Sequence, residues 1–247
     1  MNLDSFTELQ LLRLIALAEL SFGFIVFLVL IQTSWRASYG RYGYESWFVN
    51  VSIPAKVAWF LQELPCLAVP CYVFLRRNCD YFKFGANFVV IFLLLFHYSQ
   101  RCLIFPFLIR GGKPTPLPVF VMAFAFCCLN AYLQVVYHCN YASYSQHHLY
   151  QFSTLAGIAT FAAGMMINLH SDHILRNLRK PGETGYKIPN GGLVDRLCAS
   201  GLVAAFCGLA VFTLSNIGPR AISHHKWYKE KFPNYPKHRR AIVPFLY

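Results

Sequence analysis

The chain has 247 residues, of which 56% are hydrophobic, 17% aromatic and only 13% charged, whereas about a quarter of the residues in a soluble domain carry charge. That balance excludes a soluble globular class and defines an integral membrane protein. The formal charge of +12 sits in short loops between apolar runs and near the C-terminus, the distribution of cytosolic loops beside anionic lipid and not that of a nucleic-acid surface. Nine cysteines, including Cys66, Cys102, Cys127, Cys128 and Cys207, are scattered through apolar segments without a Cys-x-x-Cys pair. They read as small core residues, not as disulfides or zinc ligands.

Six apolar runs follow one another, so the expectation is an all-α, polytopic transmembrane helix bundle forming one membrane domain over 1–247. The first run, 9–31, is long enough to cross a bilayer at about 20 residues per crossing. It is preceded by Asp4 and Glu8 in place of a basic segment, which reads as a retained helix and not a cleaved signal. Glu19 lies inside it. A polar, aromatic loop with Arg36, Arg41, Tyr39, Tyr42 and Tyr44 comes next.

The second run, 54–75, carries Gln62-Glu63 at its middle, then Pro65 and Pro70. A carboxylate at mid-bilayer is costly unless it is paired, faces a cavity or is protonated, so Glu63 is a functional candidate. In its neutral form it can donate a hydrogen bond. The structural alternative is a hydrogen bond to a neighbouring helix, with Pro65 bending the span.

The third run, 87–108, contains His97, Tyr98 and Arg101. Tyr98 and Arg101 are three apart and lie on adjacent parts of one helix face. A phenol beside a neutral carboxylic acid makes a two-donor site for a carbonyl oxygen that becomes negative, the arrangement that enolises ketones. Taken alone, Tyr98 reads as an interfacial aromatic and Arg101 as a snorkelling cation. The chemical reading rests on Glu63 and Tyr98 together.

Arg110-Gly111-Gly112-Lys113-Pro114 is a tight basic turn without the spacing of a nucleotide fingerprint or P-loop. The fourth run, 118–136, is apolar apart from Asn130 and Gln134. The loop 137–150 has no Lys, Arg, Asp or Glu and reads as lumenal, and the basic stretch after the fifth run, 152–167, as cytosolic.

That stretch, 168–189, packs Asn168, His170, Asp172, His173, Arg176, Arg179, Lys180 and Tyr186 into one helix end and its loop. Asn168 and Asp172 share a face, with Arg176 and Arg179 continuing the stripe, and Pro181-Gly182 ends the helix. Polar groups at the mouth of a hydrophobic helix suit a ligand with anionic and hydrogen-bonding parts, such as a nucleotide. The alternative is a basic cytosolic loop with an Asp172/Arg176 surface pair.

One further apolar run, 197–217, suffices for a single crossing at about 1.5 Å per residue. The tail beyond it holds Arg220, Lys226, Lys229, Lys231, Lys237, Arg239 and Arg240, and one crossing from a cytosolic loop would place it on the wrong side. Either the run is a re-entrant hairpin around Gly208, or a segment is absent. His147-His148, His170 with His173, and His224-His225 lack the repeated spacing of a membrane di-iron centre, so no metal is expected.

Gln62-Glu63-Leu64-Pro65, His97-Tyr98-x-x-Arg101, the run Cys102 to Leu108, Asn168 to Asp172, Leu178 to Pro189, and Trp227-Tyr228 through to Tyr247 together resemble the steroid 5α-reductase family over nearly the whole chain. The run Ile104 to Pro116 leans toward its type 1 isozyme. The resemblance implies a seven-helix membrane enzyme of the endoplasmic reticulum that reduces the 4,5 double bond of 3-oxo-4-ene steroids with NADPH. By matched motif, Glu63 and Tyr98 would polarise the steroid 3-carbonyl. Asn168, Asp172, Arg179, Tyr186, Arg220, His224 and Tyr228 would line the NADPH site, with Arg101 nearby.

The partners implied are a steroid and the bilayer, with no nucleic acid and no metal. The chain departs from the family after Leu193, where an Asn-aromatic-x-Gly-Glu segment that contacts cofactor and begins a further helix is missing. A reductase of another lipid, such as a polyprenol or enoyl chain, and a catalytically impaired steroid-binding variant are the alternatives.

Overall fold

The computed structural model describes residues 7–33, 51–76, 79, 82, 85–179, 183, 187 and 209–236, with the side chains of 209–218 and 220 outside that description. The chain divides into two compact units, Met1–Ala18 with Ala37–Leu155, and Glu19–Arg36 with Ala156–Tyr247. Five helices among the described residues are long and apolar enough to cross a membrane: Glu8–Gln32, Ala55–Arg76, Ala86–Leu108, Leu117–Asn140 and Phe152–Asn177. They match five of the six runs expected, and the protein is an all-α polytopic bundle.

Helix α1 (Glu8–Gln32) starts on a reciprocal cap. The Gln10 backbone N–H donates to Thr7 Oγ1 at 3.3 Å, and the Thr7 N–H donates to Gln10 Oε1 at 2.9 Å, which satisfies two N-terminal groups at once. Glu8 in the first turn faces the positive end of the helix dipole, and its carboxylate accepts from Tyr132 Oη at 2.9 Å and Tyr141 Oη at 3.0 Å. Further along, Glu19 buries Oε1 without a hydrogen-bond partner.

The second span is built from α2 (Ala55–Glu63) and α3 (Pro65–Arg76). Leu64 keeps helical angles, φ −54° and ψ −38°, and its N–H reaches Phe60 O at 3.1 Å. Pro65 has no N–H to extend that ladder, so the break falls directly after Glu63.

The third span runs through α4 (Ala86–Tyr98), a π-helical stretch Ser99–Ile104 and the short α5 (Phe105–Leu108). Pro106 cannot donate to the carbonyl four residues back, and the ladder widens ahead of it, with the Phe105 N–H reaching Gln100 O. Such π segments recur at functional sites.

Two residues of β1 (Ser52–Ile53) pair antiparallel with β2 (Thr115–Pro116). This joins the approach to α2 with the exit from the basic turn. Gly111 and Gly112 both have positive φ, 74° and 109°, conformations open to glycine. A Cβ on Gly112 would also meet Ala55 Cβ at 3.3 Å.

Helix α6 (Leu117–Asn140) is the spine of the first unit. Val135, Val136 and Cys139 on it pack with Leu12, Val73 and Ile91 in one buried cluster. Cys127 and Ala131 pack with Cys66 in a second, against which Val69, Tyr98 and Phe126 lie. A buried polar knot closes the far end. Asn87 Nδ2 donates to Ala142 O at 2.8 Å, and His138 Nδ1 lies 3.0 Å from Asn87 Oδ1. Outward-facing apolar side chains such as Leu75 (82% exposed) and Phe107 (67%) would be unfavourable in water and suit hydrocarbon.

In the second unit one boundary differs from expectation. Helix α7 (Phe152–Asn177) extends ten residues past the apolar run, but stops before Pro181. Asn177 Nδ2 donates to His173 O at 3.0 Å, the acceptor its own backbone N–H would use in a helix, and such side-chain competition favours a helix end. The stripe Asn168–Asp172–Arg176 therefore ends at Arg176, and Arg179 stands in a bend beyond the helix. Helix α8 (Leu209–Lys231) carries the chain through Pro219 without stopping at Ile217. The helix continues there because proline forfeits only its own N–H bond while the turns around it continue. Ser223 Oγ donates to Pro219 O at 3.1 Å across that turn. The rest of the sixth run, 197–208, lies outside the described residues, as does the departure after Leu193.

Candidate functional site

The break after Glu63 and the π segment after Tyr98 aim both side chains at α6. Glu63 accepts from Gln62 Nε2 at 3.3 Å through Oε1, and from Cys127 Sγ at 3.8 Å through Oε2. Tyr98 Oη accepts from Asn130 Nδ2 at 3.4 Å. Cys127 and Asn130 are three residues apart on α6, hence on one face and about one turn from each other. The carboxyl and the phenol expected to act together thus sit side by side along α6, over the cluster of Cys66, Cys127 and Ala131.

Arg101 is held in the same unit. Its guanidinium lies 4.9 Å from the centroid of the Trp59 ring and 4.1 Å from that of Phe105, with the two rings edge to face at 5.1 Å. Its charge reaches Glu63 electrostatically. In a low-dielectric surrounding such a cation between aromatic faces is favourable and fixed in direction. The π segment, by adding a residue to the turn, brings Arg101 to these rings.

Two contacts escaped the sequence reading. Asn130 was visible as a polar break in an apolar run, but nothing local said that it reaches Tyr98. Cys127 gave no signal, because a thiol inside a membrane helix is most often packing. Asn130 is fully buried, and its Oδ1 has no hydrogen-bond partner.

In the second unit, Asn168 and Asp172 stand one turn apart on α7, both half-buried, and Arg179 is exposed just past the helix end. Arg220, His224 and Tyr228 recur every four residues on α8 and so share a face; the Arg220 side chain and all of Tyr186 lie outside the described residues. The chain folds back after α8 and fixes Tyr228. Its ring stacks on Tyr235 at 5.6 Å and 7°, and on Phe232 at 5.8 Å and 28°. Tyr235 is itself buried, with Oη 3.2 Å from His225 Nδ1.

The first unit thus holds a carboxyl and a phenol against one buried helix face within a polytopic helix bundle. The family profile described as 3-oxo-5-alpha-steroid 4-dehydrogenase matches residues 113–247. The chain is 45% identical to 3-oxo-5-alpha-steroid 4-dehydrogenase 1 of Mus musculus over 261 aligned positions, covering all of both proteins. It is 41% identical to the type 1 protein of Homo sapiens, covering 97% of each chain. With the human type 2 protein it shares 35% identity over 85% of this chain and 88% of that one. This chain belongs to the 3-oxo-5-alpha-steroid 4-dehydrogenase family, and its type 1 relatives align at the higher identity. The mouse alignment spans 261 positions against 247 residues here, so the mouse protein carries residues without a counterpart in this chain.

Proposed function

We propose that this protein is an NADPH-dependent reductase of the 4,5 double bond of 3-oxo-4-ene steroids, working in the endoplasmic reticulum membrane. The observation that carries the reading is the convergence of Glu63 and Tyr98 on one face of α6 in an apolar surrounding. Both can donate to one oxygen when Glu63 carries its proton. Asn130 donates its amide hydrogen to Tyr98 Oη, so the phenol oxygen is the acceptor in that contact.

A 3-keto group held by these two donors is polarised through the conjugated double bond, which makes C5 electron-poor. As C5 is reduced, charge moves onto the 3-oxygen, and two donors fixed beforehand in a water-poor slot stabilise that enolate more than the starting ketone. C4 then takes a proton, and the ketone is restored. NADPH, when bound, supplies the hydride that C5 receives.

The residues proposed for the cofactor fit a dinucleotide in kind. Asn168 and Asp172 offer an amide and a carboxylate for hydroxyl and amide groups, with Arg179 and Arg220 for phosphate. Tyr186 and His224 complete the set, and Tyr228 presents a ring already braced by stacking. Arg179→Ala should weaken NADPH binding by about 10- to 100-fold, the loss of a charge-assisted hydrogen bond, and leave steroid binding unchanged. Calorimetry or cofactor fluorescence on the purified variant measures both, and equal weakening of the two ligands would contradict the assignment.

The deciding experiment for the whole reading uses the purified full chain in nanodiscs with NADPH and a 4-ene-3-ketosteroid. Cofactor oxidation matched by a 5α-reduced product is expected. Saturable steroid binding without oxidation would make the protein a binder, and oxidation with a polyprenol or enoyl chain alone would move the substrate class.

A further inference from the structure

Cys79 and Cys139 lie outside the carbonyl site, at the end of the first unit where α3 gives way to α4 and α6 runs out. Their Sγ atoms are 2.7 Å apart, against about 2.05 Å for a covalent S–S bond. The surroundings hold both side chains in place. Cys139 is fully buried in the cluster of Leu12, Val73, Ile91, Val135 and Val136, and Cys79 packs against that cluster. The backbone of Cys79 is pinned by a turn in which the Phe82 N–H donates to Cys79 O at 3.2 Å. Phe82 itself is wedged between Phe74 and Phe88, at 4.8 and 6.1 Å.

The side of the membrane matters as much as the distance. The 141–151 connection between α6 and α7 has no Lys, Arg, Asp or Glu, and that between α3 and α4 carries Arg76, Arg77 and Lys83 against Asp80, whereas Arg36, Arg41, Lys56, Arg110 and Lys113 precede α2 or α6, and Arg176, Arg179 and Lys180 close or follow α7. Positive charge is retained in the cytosol, so the C-terminal end of α6 faces the opposite compartment. The hydrogen bond from Asn87 to Ala142 places the start of α4, and the turn holding Cys79, at that same end. In a secretory membrane this is the oxidising side, where disulfides persist.

The geometry points to a Cys79–Cys139 disulfide that ties the α3–α4 turn to the end of α6. Half-buried Cys79 is the accessible partner. Its thiolate attacks the disulfide of an oxidised donor, glutathione disulfide or a protein dithiol oxidant, giving a mixed disulfide and releasing one donor thiol. The Cys139 thiolate then attacks Cys79 Sγ, closing the bond and releasing the second donor thiol. Two electrons pass from the cysteine pair to the donor, and the two protons leave with its thiols. The bond closes a loop containing α4, α5 and α6, which restricts the unfolded chain.

The test uses membranes from cells expressing the full chain, blocked with N-ethylmaleimide, denatured and digested without reductant. Mass spectrometry should find a peptide linking Cys79 to Cys139 that dithiothreitol abolishes, and reduction should lower the unfolding midpoint by roughly 5–10 °C. In Cys79→Ser the Cys139 thiol, and in Cys139→Ser the Cys79 thiol, should become alkylated after denaturation. Recovery of both cysteines of the unsubstituted chain as maleimide adducts, or a link from either one to a different cysteine, would overturn the inference. None of these readouts depends on steroid turnover.

Discussion

Glu63→Gln and Tyr98→Phe should each reduce steroid turnover by about 10²- to 10³-fold, the cost of removing one preorganised donor from a developing oxyanion, with NADPH affinity unchanged within about twofold. Tyr98→Phe deletes one hydroxyl and preserves the ring that packs against Cys66, Cys127 and Ala131. Glu63→Gln keeps the side-chain shape but replaces the acid with a weaker amide donor. If both groups act mainly in the transition state, kcat falls and KM moves little. Single-turnover kinetics with equilibrium cofactor binding separates the two quantities. An unchanged unfolding midpoint shows that each variant is folded. A folded variant with ordinary turnover would remove the carbonyl-polarising pair from the mechanism.

The largest effect on stability is expected from Asn87→Leu. Asn87 satisfies two buried groups at once, the His138 ring and the Ala142 carbonyl, and it is only 5% exposed. Leucine is similar in size but leaves both partners unpaired, at roughly 1–3 kcal/mol for each orphaned group. The unfolding midpoint in nanodiscs should drop by roughly 5–15 °C, given about 2–4 °C per kcal/mol for a chain of this size. The paired substitution Asn87→Leu with His138→Phe should recover part of that loss, since replacing both members of a buried pair with apolar groups costs less than stranding one. A single variant as stable as the unsubstituted chain would show that the knot contributes nothing.

The class of this protein and five of its spans were legible in the sequence, because hydrocarbon imposes a length and a composition on each crossing that no tertiary contact alters. Glu63 was legible for the same reason: a carboxyl in the middle of an apolar run has few places to go. The pairing of Tyr98 with Glu63 was an inference of chemistry. What the tertiary structure decided is that both meet α6, through Cys127 and Asn130, two contacts whose partners lie 64 and 32 residues away along the chain.

Helix ends were the least legible feature. Pro181 looked like punctuation, yet α7 stopped earlier, at Asn177, while α8 runs through Pro219. A proline removes one backbone donor, and whether a helix ends there depends on what its neighbours do with the freed groups. The same holds for Cys79 and Cys139. Sequence showed nine thiols in apolar surroundings, and composition favours packing for each of them taken singly. Apolar periodicity is a local property that each segment carries alone. Which side chain meets which is set by how the segments stack, and only the folded chain holds that information.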